Sequence, residues 1–355
     1  MTPFWDLAAA RQSERARHNL HAFVSPRSSV PQKTARKGSS RSGGAVQANG
    51  RVQPPVAYET RRGRMYLGTI EEFLDSTAGR RLRGRVQLIF TSPPFPLNRK
   101  KRYGNLKGDA YSKWLADLAP ALIALLRPDG SIVIEVGNAW EPGRPVMSVL
   151  AMQSLLEFMR TGELNLCQQF VCDNPARLPS PAQWVNVERI RVKDSFTHVW
   201  WMAPSDRPKA DNRRVLKGYS KAMLSLLKSG KYNSGARPSQ HKIGEKSFLQ
   251  DNGGAIPASC LSFSNTIPID DYLEHCRGND LRPHPARMPS GLAEFFIKFL
   301  SDKDDIVMDP FGGSNTTGAV AEALGRRWVS VEPNADFIAG SVARFPNVTL
   351  EVDDE

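Results

Sequence analysis

One stretch of ten residues, Val86–Phe95, constrains the fold of this chain more than any other. Its first half, Val86–Phe90, is an apolar run that ends at once in Thr-Ser-Pro-Pro. A short apolar run bounded by turn residues predicts a buried strand. Because proline lacks a backbone N–H and favours an extended residue before it, the segment after the strand is expected to be stiff. Ligands bind at the carboxyl edge of open α/β sheets, so Ser92 and Phe95 are candidate site residues, although a proline-stiffened turn explains the same sequence.

Strand and helix patterns alternate along the rest of the chain. A turn signal at Arg127–Gly130 precedes the predicted strand Ser131–Val136, and a long basic stretch precedes the last predicted helices and strands. The predicted strands are Met65–Leu67, Ser131–Val136, Phe170–Val171, Arg189–Val192, Thr197–Met202, Asp305–Met308 and Trp328–Val331. The predicted helices are Ile70–Leu74, Tyr111–Leu126, Val146–Met159, Gly291–Leu300 and Ala319–Leu324. This order predicts an α/β fold.

The charge of the chain indicates a polyanionic partner. A formal net charge of +12 and a pI near 9.7 favour nucleic acid, although an anionic membrane surface fits the sign equally well. The start of the chain has no signal-peptide layout and no apolar run reaches about 18 residues, so neither secretion nor membrane spanning is expected. The four cysteines form no CxxC pair and the six histidines have no ligand spacing, so we predict free thiols and no metal site.

Two regions concentrate this positive charge. Residues 1–57 are rich in Ser, Gly, Pro, Lys and Arg, which predicts a basic tail that does not fold apart from a short helix at Phe4–Arg17. Asp206–Lys246 carries eleven Lys and Arg against three acids, interleaved with Tyr, Asn, Gln and His, a mixture that suits contact with a nucleic-acid groove. A solvated insertion is the alternative. The predicted DNA-binding residues are Arg213, Arg214, Lys217, Lys231, Arg237, His241 and Lys242.

A second motif follows the predicted strand Asp305–Met308 and reads DPFGGSNTTG from Asp309. Strand, acid, glycine-rich turn, helix, strand and acid form the layout of a nucleoside-cofactor site. Gly312 and Gly313 allow close approach of a ligand, and Glu332 after the next strand suits ribose hydroxyls. Asp309 suits an ammonium group. The motif is not a Walker loop, because Ala319 stands where the Walker lysine is required. It also lacks the GxGxxG fingerprint of dinucleotide-binding sites. A cofactor with an amine, a carboxylate and a ribose indicates S-adenosyl-L-methionine.

These motifs together resemble those of a known family. DPFGGSNTTG resembles the DPFxGSGTT cofactor motif of DNA amino-methyltransferases, TSPPF resembles their catalytic (D/N/S)PP(Y/F/W) motif, and HPARMP at His284–Pro289 resembles a further cofactor-pocket motif. The catalytic motif comes first, as in the β-class. Ser92 before the two prolines resembles the N4-cytosine subgroup of restriction-modification systems, and Arg237–Pro257 resembles its target-recognition region. The resemblance covers roughly Tyr66 to Phe345.

The resemblance implies a Rossmann-like methyltransferase domain with a doubly wound, mostly parallel sheet, 58–205 with 275–355, and a target-recognition region inserted at 206–274. The Val86–Phe90 and Asp305–Met308 strands are then neighbours. The implied reaction moves a methyl group from S-adenosyl-L-methionine directly to N4 of a flipped-out cytosine in double-stranded DNA. The implied catalytic residues are Ser92, Pro93, Pro94 and Phe95. The implied cofactor-binding residues are Pro289, Asp309, Phe311, Gly312, Gly313, Ser314, Thr316, Thr317 and Glu332. A restriction endonuclease on a separate chain is a further expected partner, and the bacterial cytoplasm the expected location.

Two departures from the family pattern and two alternative functions stay open. Asn315 replaces a glycine of the cofactor motif, and Gly68-Thr69 stands where the family often has Gly-Asp. Asparagine tolerates the left-handed backbone better than most residues, so the turn is expected to survive. Methylation of adenine N6 needs the same parts as cytosine N4, and a catalytically silent DNA-binding protein would keep the same fold. A C5-cytosine route is excluded, since none of the cysteines follows a proline.

Overall fold

A nine-stranded, mostly parallel sheet forms the centre of the protein. The computed structural model describes residues 53–95, 108–244, 248–264, 270–346 and 348. All of them belong to one unit, Gly44–Glu355. The predicted helix Phe4–Arg17 and most of the predicted basic tail lie outside the described residues.

The elements of the fold alternate between strand and helix over most of the described chain. The strands are β1 Val56–Glu59, β2 Gly63–Leu67, β3 Val86–Thr91, β4 Leu126–Gly137, β5 Ala139–Trp140, β6 Met147–Ser148, β7 Asn165–Asp173, β8 Phe196–Ala203, β9 Gly235–Ala236, β10 Lys242–Ile243, β11 Cys260–Ser262, β12 Ile306–Asp309 and β13 Arg327–Glu332. The α-helices are α1 Ile70–Asp75, α2 Thr77–Arg81, α3 Gly108–Ile123, α4 Leu150–Thr161, α5 Lys221–Ser229, α6 Asp271–Gly278, α7 Ser290–Leu300, α8 Thr316–Ala323 and α9 Ala335–Ser341.

The strand order of the main sheet is β1-β2-β13-β12-β3-β4-β8-β7-β11. Strands β2, β13, β12, β3 and β4 are parallel to one another, whereas β8 runs antiparallel between β4 and β7. The chain therefore builds outward from β3 in both directions, which is the doubly wound arrangement that the sequence predicts. Strand β3 pairs with β12 through Leu88 with Val307 and Ile89 with Met308, so the predicted neighbourhood of the two motif-bearing strands is confirmed.

Helices cover both faces of the central strands. Ile89 packs with the helices α3 and α4, and Leu88 and Phe90 pack on the opposite face with α7. Successive strand residues point to opposite faces, so a strand covered on both sides must be apolar throughout. All six residues of β3 are buried. This double burial is the physical reason why the Val86–Phe90 run shows no polar alternation.

Several predicted boundaries are wrong. No strand forms at Arg189–Val192, where Arg189 adopts a positive φ of 57° within the connection between β7 and β8. The predicted helix Val146–Met159 begins only at Leu150, because Glu141 N–H donates to the carbonyl of Val146 (2.9 Å) and closes the β5–β6 hairpin. The predicted helix Tyr111–Leu126 ends at Ile123.

The predicted turn Arg127–Gly130 lies inside strand β4 as a bulge. Val86 of β3 pairs with Leu126, and Leu88 pairs with Ser131. The residues of β4 between Leu126 and Ser131 therefore bulge out of the regular pairing with β3. Beyond the bulge β4 runs as a buried strand to Gly137 at the carboxyl edge. Across the part of the chain that the structure describes, no helix has the length and apolar character to cross a bilayer.

Candidate active site

A cavity of about 390 Å³ opens at the carboxyl edge of the sheet, where β3, β12 and β13 end. Both sequence motifs and the His284–Met288 segment line it. The structure thus brings together predicted site residues that are more than two hundred positions apart, namely Ser92, Pro93, Pro94, Phe95, Asp309, Phe311, Gly312, Gly313, Ser314, Thr316, Thr317 and Glu332. Predicted Pro289 is not among the lining residues. It is the N-cap residue of α7, directly after the lining residue Met288.

Asp309 forms hydrogen bonds that connect the TSPPF motif with the DPFGGSNTTG motif. Its carboxylate accepts hydrogen bonds from the Thr91 hydroxyl (2.6 Å), the Thr317 hydroxyl (2.7 Å) and the Phe311 N–H (3.1 Å). Burial raises the pKa of Asp309, and the two hydroxyls oppose that rise. A carboxylate has about four acceptor positions, so most of its capacity is spent on fixing the glycine-rich turn to the end of β3.

Glu332 closes the cavity from β13. The Gly313 N–H donates to its Oε2 (2.9 Å) and the Asn334 N–H donates to its Oε1 (3.0 Å). Burial raises the pKa of Glu332 to about 7, although both backbone donors favour the charged form. The carboxylate is therefore held at the rim of the glycine-rich turn with acceptor capacity left for further donors.

The glycine-rich turn keeps its shape despite Asn315. This residue adopts the left-handed conformation at φ 50° and ψ 40°, as the sequence predicts. Its side-chain oxygen accepts hydrogen bonds from the Gly318 N–H (3.2 Å) and from the Ser330 hydroxyl (2.7 Å), and its amide donates to the Tyr58 hydroxyl (2.8 Å). Asn315 thus caps α8, which contributes roughly 1 kcal/mol to helix stability in comparable cases.

Glu135 is a buried carboxylate beside Ser92 that the sequence reasoning did not include among the candidate site residues. It lies near the end of β4, beside β3, and is 6 % exposed. Its carboxylate accepts hydrogen bonds from the Thr197 hydroxyl (2.9 Å) and from the Ser92 hydroxyl. Burial raises the pKa of Glu135, while these two hydroxyls and the positive charge of Arg177 lower it. The one signal in the sequence was an acid inside an otherwise apolar strand, SIVIEVG.

Phe95 lies against the backbone of Gly137 at the end of β4. A Cβ at Gly137 would lie 2.5 Å from the Phe95 ring, so only glycine leaves room for the ring there. Close packing at the floor of the cavity holds Phe95 in place. The pairing of Phe95 with Gly137 has no trace in the sequence, because 42 positions separate the two residues and no pattern connects them.

His284 forms an aromatic wall of the same cavity. Its ring meets the Phe337 ring edge-on at 4.6 Å, and a Cβ at Gly313 would come within 3.1 Å of its Nε2. The Tyr272 hydroxyl accepts a hydrogen bond from the His284 N–H (2.7 Å) and anchors this segment to α6. Gly313 has a positive φ of 50°, so both its backbone conformation and its surroundings favour glycine.

The predicted DNA-binding residues separate into two groups. Arg214 forms an ion pair with Asp302 (2.7 Å) and donates to the carbonyl of Ser301 (2.9 Å), just before β12 and thus at the amino edge of the sheet, opposite the cavity. Arg213 forms an ion pair with Asp211 (2.8 Å).

The other group lies after these arginines in the chain, and all of its members except the partly buried Arg237 are exposed. Lys217 pairs through its backbone with Ala255, Lys231 follows α5, and Arg237, His241 and Lys242 lie in or beside the β9–β10 hairpin. The structure brings Arg237 and His241 together, since the Arg237 N–H donates to the His241 carbonyl (2.8 Å). Within the described residues, no cluster of three His, Cys, Asp or Glu side chains forms a possible metal site.

The N6/N4 methyltransferase model, described as DNA methylase, matches residues 86–343. This range includes both motifs and the insertion between them. The chain belongs to this DNA methylase family. It is 42 % identical over 291 residues to the type II methyltransferase M.PvuII of Proteus hauseri, an alignment that covers 81 % of this chain and 85 % of the relative.

Other comparisons agree with membership of the DNA methylase family. The solved structure of the PvuII DNA methyltransferase, described as cytosine-N4-specific, superposes with a TM-score of 0.66 at 36 % identity and covers 84 % of this chain and 92 % of that one. The fold of this DNA methylase is therefore the Rossmann-like methyltransferase fold. A shorter match, 44 % identical over 135 residues, is the DNA adenine methyltransferase YhdJ of Escherichia coli, with 35 % of this chain and 43 % of the relative covered.

Proposed function

We propose that this DNA methylase transfers a methyl group from S-adenosyl-L-methionine to the exocyclic N4 amine of cytosine at a specific site in double-stranded DNA. The observation that carries the proposal is the Ser92–Glu135 hydrogen bond beside the cavity that the cofactor motif lines. The relative and the solved structure that align over most of the chain, both PvuII enzymes, support the same target, since the structure is described as cytosine-N4-specific.

The cavity fits the cofactor chemically. Glu332 offers acceptor positions to ribose hydroxyls, and Phe311 and His284 offer apolar and aromatic surface. Gly312 and Gly313 line the cavity, and their lack of side chains lets a ligand approach the backbone of the turn. Asp309 holds this turn in place through Thr317 and Phe311, and its remaining acceptor position suits the cofactor's ammonium group. When bound, the cofactor supplies an electrophilic methyl group on a sulfonium.

Ser92 and Glu135 would handle the amine and its proton. The Ser92 hydroxyl donates to Glu135, which leaves the serine oxygen free to accept a hydrogen bond from the cytosine N4–H. Pro93 lines the same cavity, and its carbonyl would accept the second N4–H. Methylation of N4 would break the bond between the methyl group and sulfur, leave a neutral thioether on the cofactor and place a positive charge on N4, which must then lose one proton. That proton would pass to Ser92 while the Ser92 proton would pass to Glu135, so Glu135 would be the final acceptor.

Positioning would supply most of the rate. Pro94 stiffens the segment and Phe95, fixed on Gly137, offers a ring face on which a cytosine extruded from the duplex can stack. N4 of a paired cytosine is not accessible inside a duplex, so the proposed reaction requires base flipping. Basic residues of the inserted region, Lys231, Arg237, His241 and Lys242 among them, would contact DNA, and the region 206–274 would read the sequence.

The test is the chemistry of the product. Purified protein is incubated with plasmid DNA and S-adenosyl-L-methionine carrying a labelled methyl group. The DNA is then digested to nucleosides, which are identified by mass spectrometry. We expect N4-methylcytosine. N6-methyladenine in its place would move the enzyme to the adenine group, which the shorter YhdJ match favours. Absence of any transfer would support a catalytically silent DNA-binding protein.

Two further proposals follow from the type II name of the relative M.PvuII. We propose that a restriction endonuclease on a separate chain recognises the same DNA sequence, and that the methylase acts in the bacterial cytoplasm on nucleoid DNA. Deletion of the methylase gene in a strain that keeps its neighbouring genes tests the first proposal. Loss of viability that is rescued by deletion of an adjacent nuclease gene is the expected result.

A further inference from the structure

The connection between β7 and β8, residues 174–195, rises from the same sheet edge as Ser92. Strand β8 is antiparallel to both β4 and β7, so β7 is parallel to β4 and β3 and ends at Asp173 on the carboxyl edge. We call residues 174–195 the edge loop. Arg177 in this loop lies near enough to Glu135 for its charge to affect that carboxylate. The edge loop therefore borders the proposed catalytic residues.

Hydrogen bonds give the edge loop a defined shape. The Asn174 N–H donates to the Ser195 carbonyl (2.8 Å) and the Asp194 N–H donates to the Ser180 carbonyl (3.0 Å), so the two ends of the loop run side by side. The Asn138 amide donates to Asp194 (2.8 Å) and fixes this pair of segments to the end of β4.

A second set of bonds joins the loop to the β5–β6 hairpin. Arg191 donates from Nη2 to the Pro145 carbonyl (2.8 Å), and Trp140 packs on Trp184 with ring centroids 5.4 Å apart. These contacts hold the loop against its neighbour at the same edge of the sheet. These contacts therefore fix the conformation of the loop and which of its side chains face solvent.

That surface is unusually apolar for one facing solvent. Leu178 is 80 % exposed and Val192 is 86 % exposed, and Val187 and Ile190 are 69 % and 48 % exposed. Because the ends of the loop run side by side, Leu178 and Val192 belong to adjacent segments. Exposed apolar side chains on a loop whose shape is fixed by hydrogen bonds indicate a surface that a partner covers.

Charge identifies the partner as a polyanion. The edge loop carries four cations, Arg177, Arg189, Arg191 and Lys193, against two acids, and one of the acids, Asp194, is buried. Apolar side chains flanked by cations suit DNA, because the cations meet phosphates and the apolar groups enter the base stack. A second copy of this basic chain would bring like charges together.

We propose that the edge loop enters the DNA at the target base pair, with Leu178 and Val192 filling the space that the extruded cytosine leaves. This inference rests on the proposed function. Extruding a base costs the stacking and pairing of that base, and an apolar group that takes its place lowers the cost. Leu178 and Val192 then act on base extrusion and leave cofactor binding and the chemistry at N4 unchanged.

The experiment compares two DNA duplexes that differ only at the target. One carries the target cytosine paired with guanine, in the sequence that the wild-type protein is found to methylate, and the other carries it opposite adenine. A mismatched base is easier to extrude. We expect Leu178→Ala/Val192→Ala to lose at least about tenfold in kcat/KM on the paired duplex, and to recover most of it on the mismatched duplex. Val56→Ala, at a 43 % exposed valine of the far strand β1, is the matched control and should behave as wild type.

Three results would overturn the inference. An unchanged rate on the paired duplex removes any role for the two side chains. An equal loss on both duplexes assigns them to general DNA affinity or to folding. A change of sedimentation coefficient without DNA, and no change in the duplex preference, assigns the loop to contact between copies of the chain. Transfer by the wild type to neither duplex contradicts the proposed function itself, and is seen before any variant is made.

A second readout separates extrusion from chemistry. With 2-aminopurine in place of the target cytosine, wild-type protein should raise the fluorescence, since extrusion unstacks the probe. The double variant should raise it less at saturating DNA while binding S-adenosyl-L-methionine with unchanged affinity. Equal fluorescence from both proteins would contradict the proposal.

Discussion

The Thr91 hydroxyl donates to Asp309 Oδ1 at 2.6 Å, across 218 positions of sequence. Thr91 is the last residue of β3, directly before Ser92, and Asp309 is the last residue of β12, directly before the glycine-rich turn. This buried bond fixes the catalytic and cofactor motifs to each other at the level of individual atoms. In the proposed reaction, the distance between the cytosine amine and the methyl group would depend on it.

Thr91→Val should therefore disturb both stability and cofactor binding. The change keeps the shape of the side chain and removes one of the two donors to Asp309 Oδ1, so that the Phe311 N–H remains. Loss of this buried hydrogen bond costs about 1–3 kcal/mol of the free energy of unfolding. Thermal unfolding and titration with S-adenosyl-L-methionine measure the two effects. Ser112→Ala is the control, since it breaks a buried hydroxyl pair with Ser154 (2.7 Å) outside the residues that line the cavity. Equal loss of cofactor affinity in both variants would contradict the role given to Thr91.

Ser92 and Glu135 should behave as one unit. We expect Ser92→Ala and Glu135→Gln each to lower kcat about a hundredfold or more, with cofactor affinity nearly unchanged. The double variant should be no worse than the poorer single one, because each change breaks the same proton path. Single-turnover methyl transfer and equilibrium cofactor binding are the measurements. Additive losses would separate the two residues, and Glu163→Gln, at an exposed glutamate, is the matched control.

The rate of methyl transfer should fall at low pH in a way that depends on Glu135. Burial raises the pKa of this carboxyl, so the carboxylate that accepts the proton is lost as the pH falls through the raised value. In Glu135→Gln the slow residual rate should lose this dependence. A single-turnover pH profile with saturating cofactor and DNA makes the comparison, and an identical profile in both proteins would remove Glu135 from the proton path.

Cofactor affinity should rise with pH around neutrality because of Glu332. Its pKa is raised from 4.5 to about 7 by burial, so the empty site holds a protonated carboxyl below that value. Ribose hydroxyls donate to the carboxylate form, so binding releases a proton and the affinity falls by up to about tenfold for each unit of pH below 7. Calorimetry between about pH 5.5 and 8.5 measures this, and Glu332→Gln should bind more weakly at high pH with a flat profile.

The two groups of basic residues should differ in their effect on DNA binding. Arg237→Ala/Lys242→Ala should lower the slope of log K against log salt by about one unit for each phosphate that the variant no longer neutralises. Arg214→Ala should leave the slope unchanged and cost about 0–1 kcal/mol of stability, because its ion pair with Asp302 lies at the opposite sheet edge and both side chains are partly solvated. A lower slope for Arg214→Ala would place this residue at the DNA interface, as its position in the basic stretch predicts.

Much of this protein is determined by local sequence. The apolar run Val86–Phe90 and the acid-glycine motif at Asp309 predicted two buried strands, their shared edge and the class of cofactor, because burial on both faces and the geometry of a glycine-rich turn leave a periodic or compositional trace. Ser92 favoured cytosine over adenine, in agreement with the cytosine-N4-specific PvuII structure. The left-handed backbone at Asn315 was also predicted from its side chain.

Only the tertiary structure decided which side chains meet. Glu135 stands out in SIVIEVG as one acid in an apolar strand, but its pairing with Ser92 leaves no trace there, since strand β4 becomes the neighbour of β3 only through the sheet order. Arg214 looks like any cation of a basic region until its pairing with Asp302 appears. Composition and periodicity record whether a residue is buried and in which element it lies. The partner of a charge or hydroxyl is set by contacts between strands distant in sequence, and no local pattern encodes those.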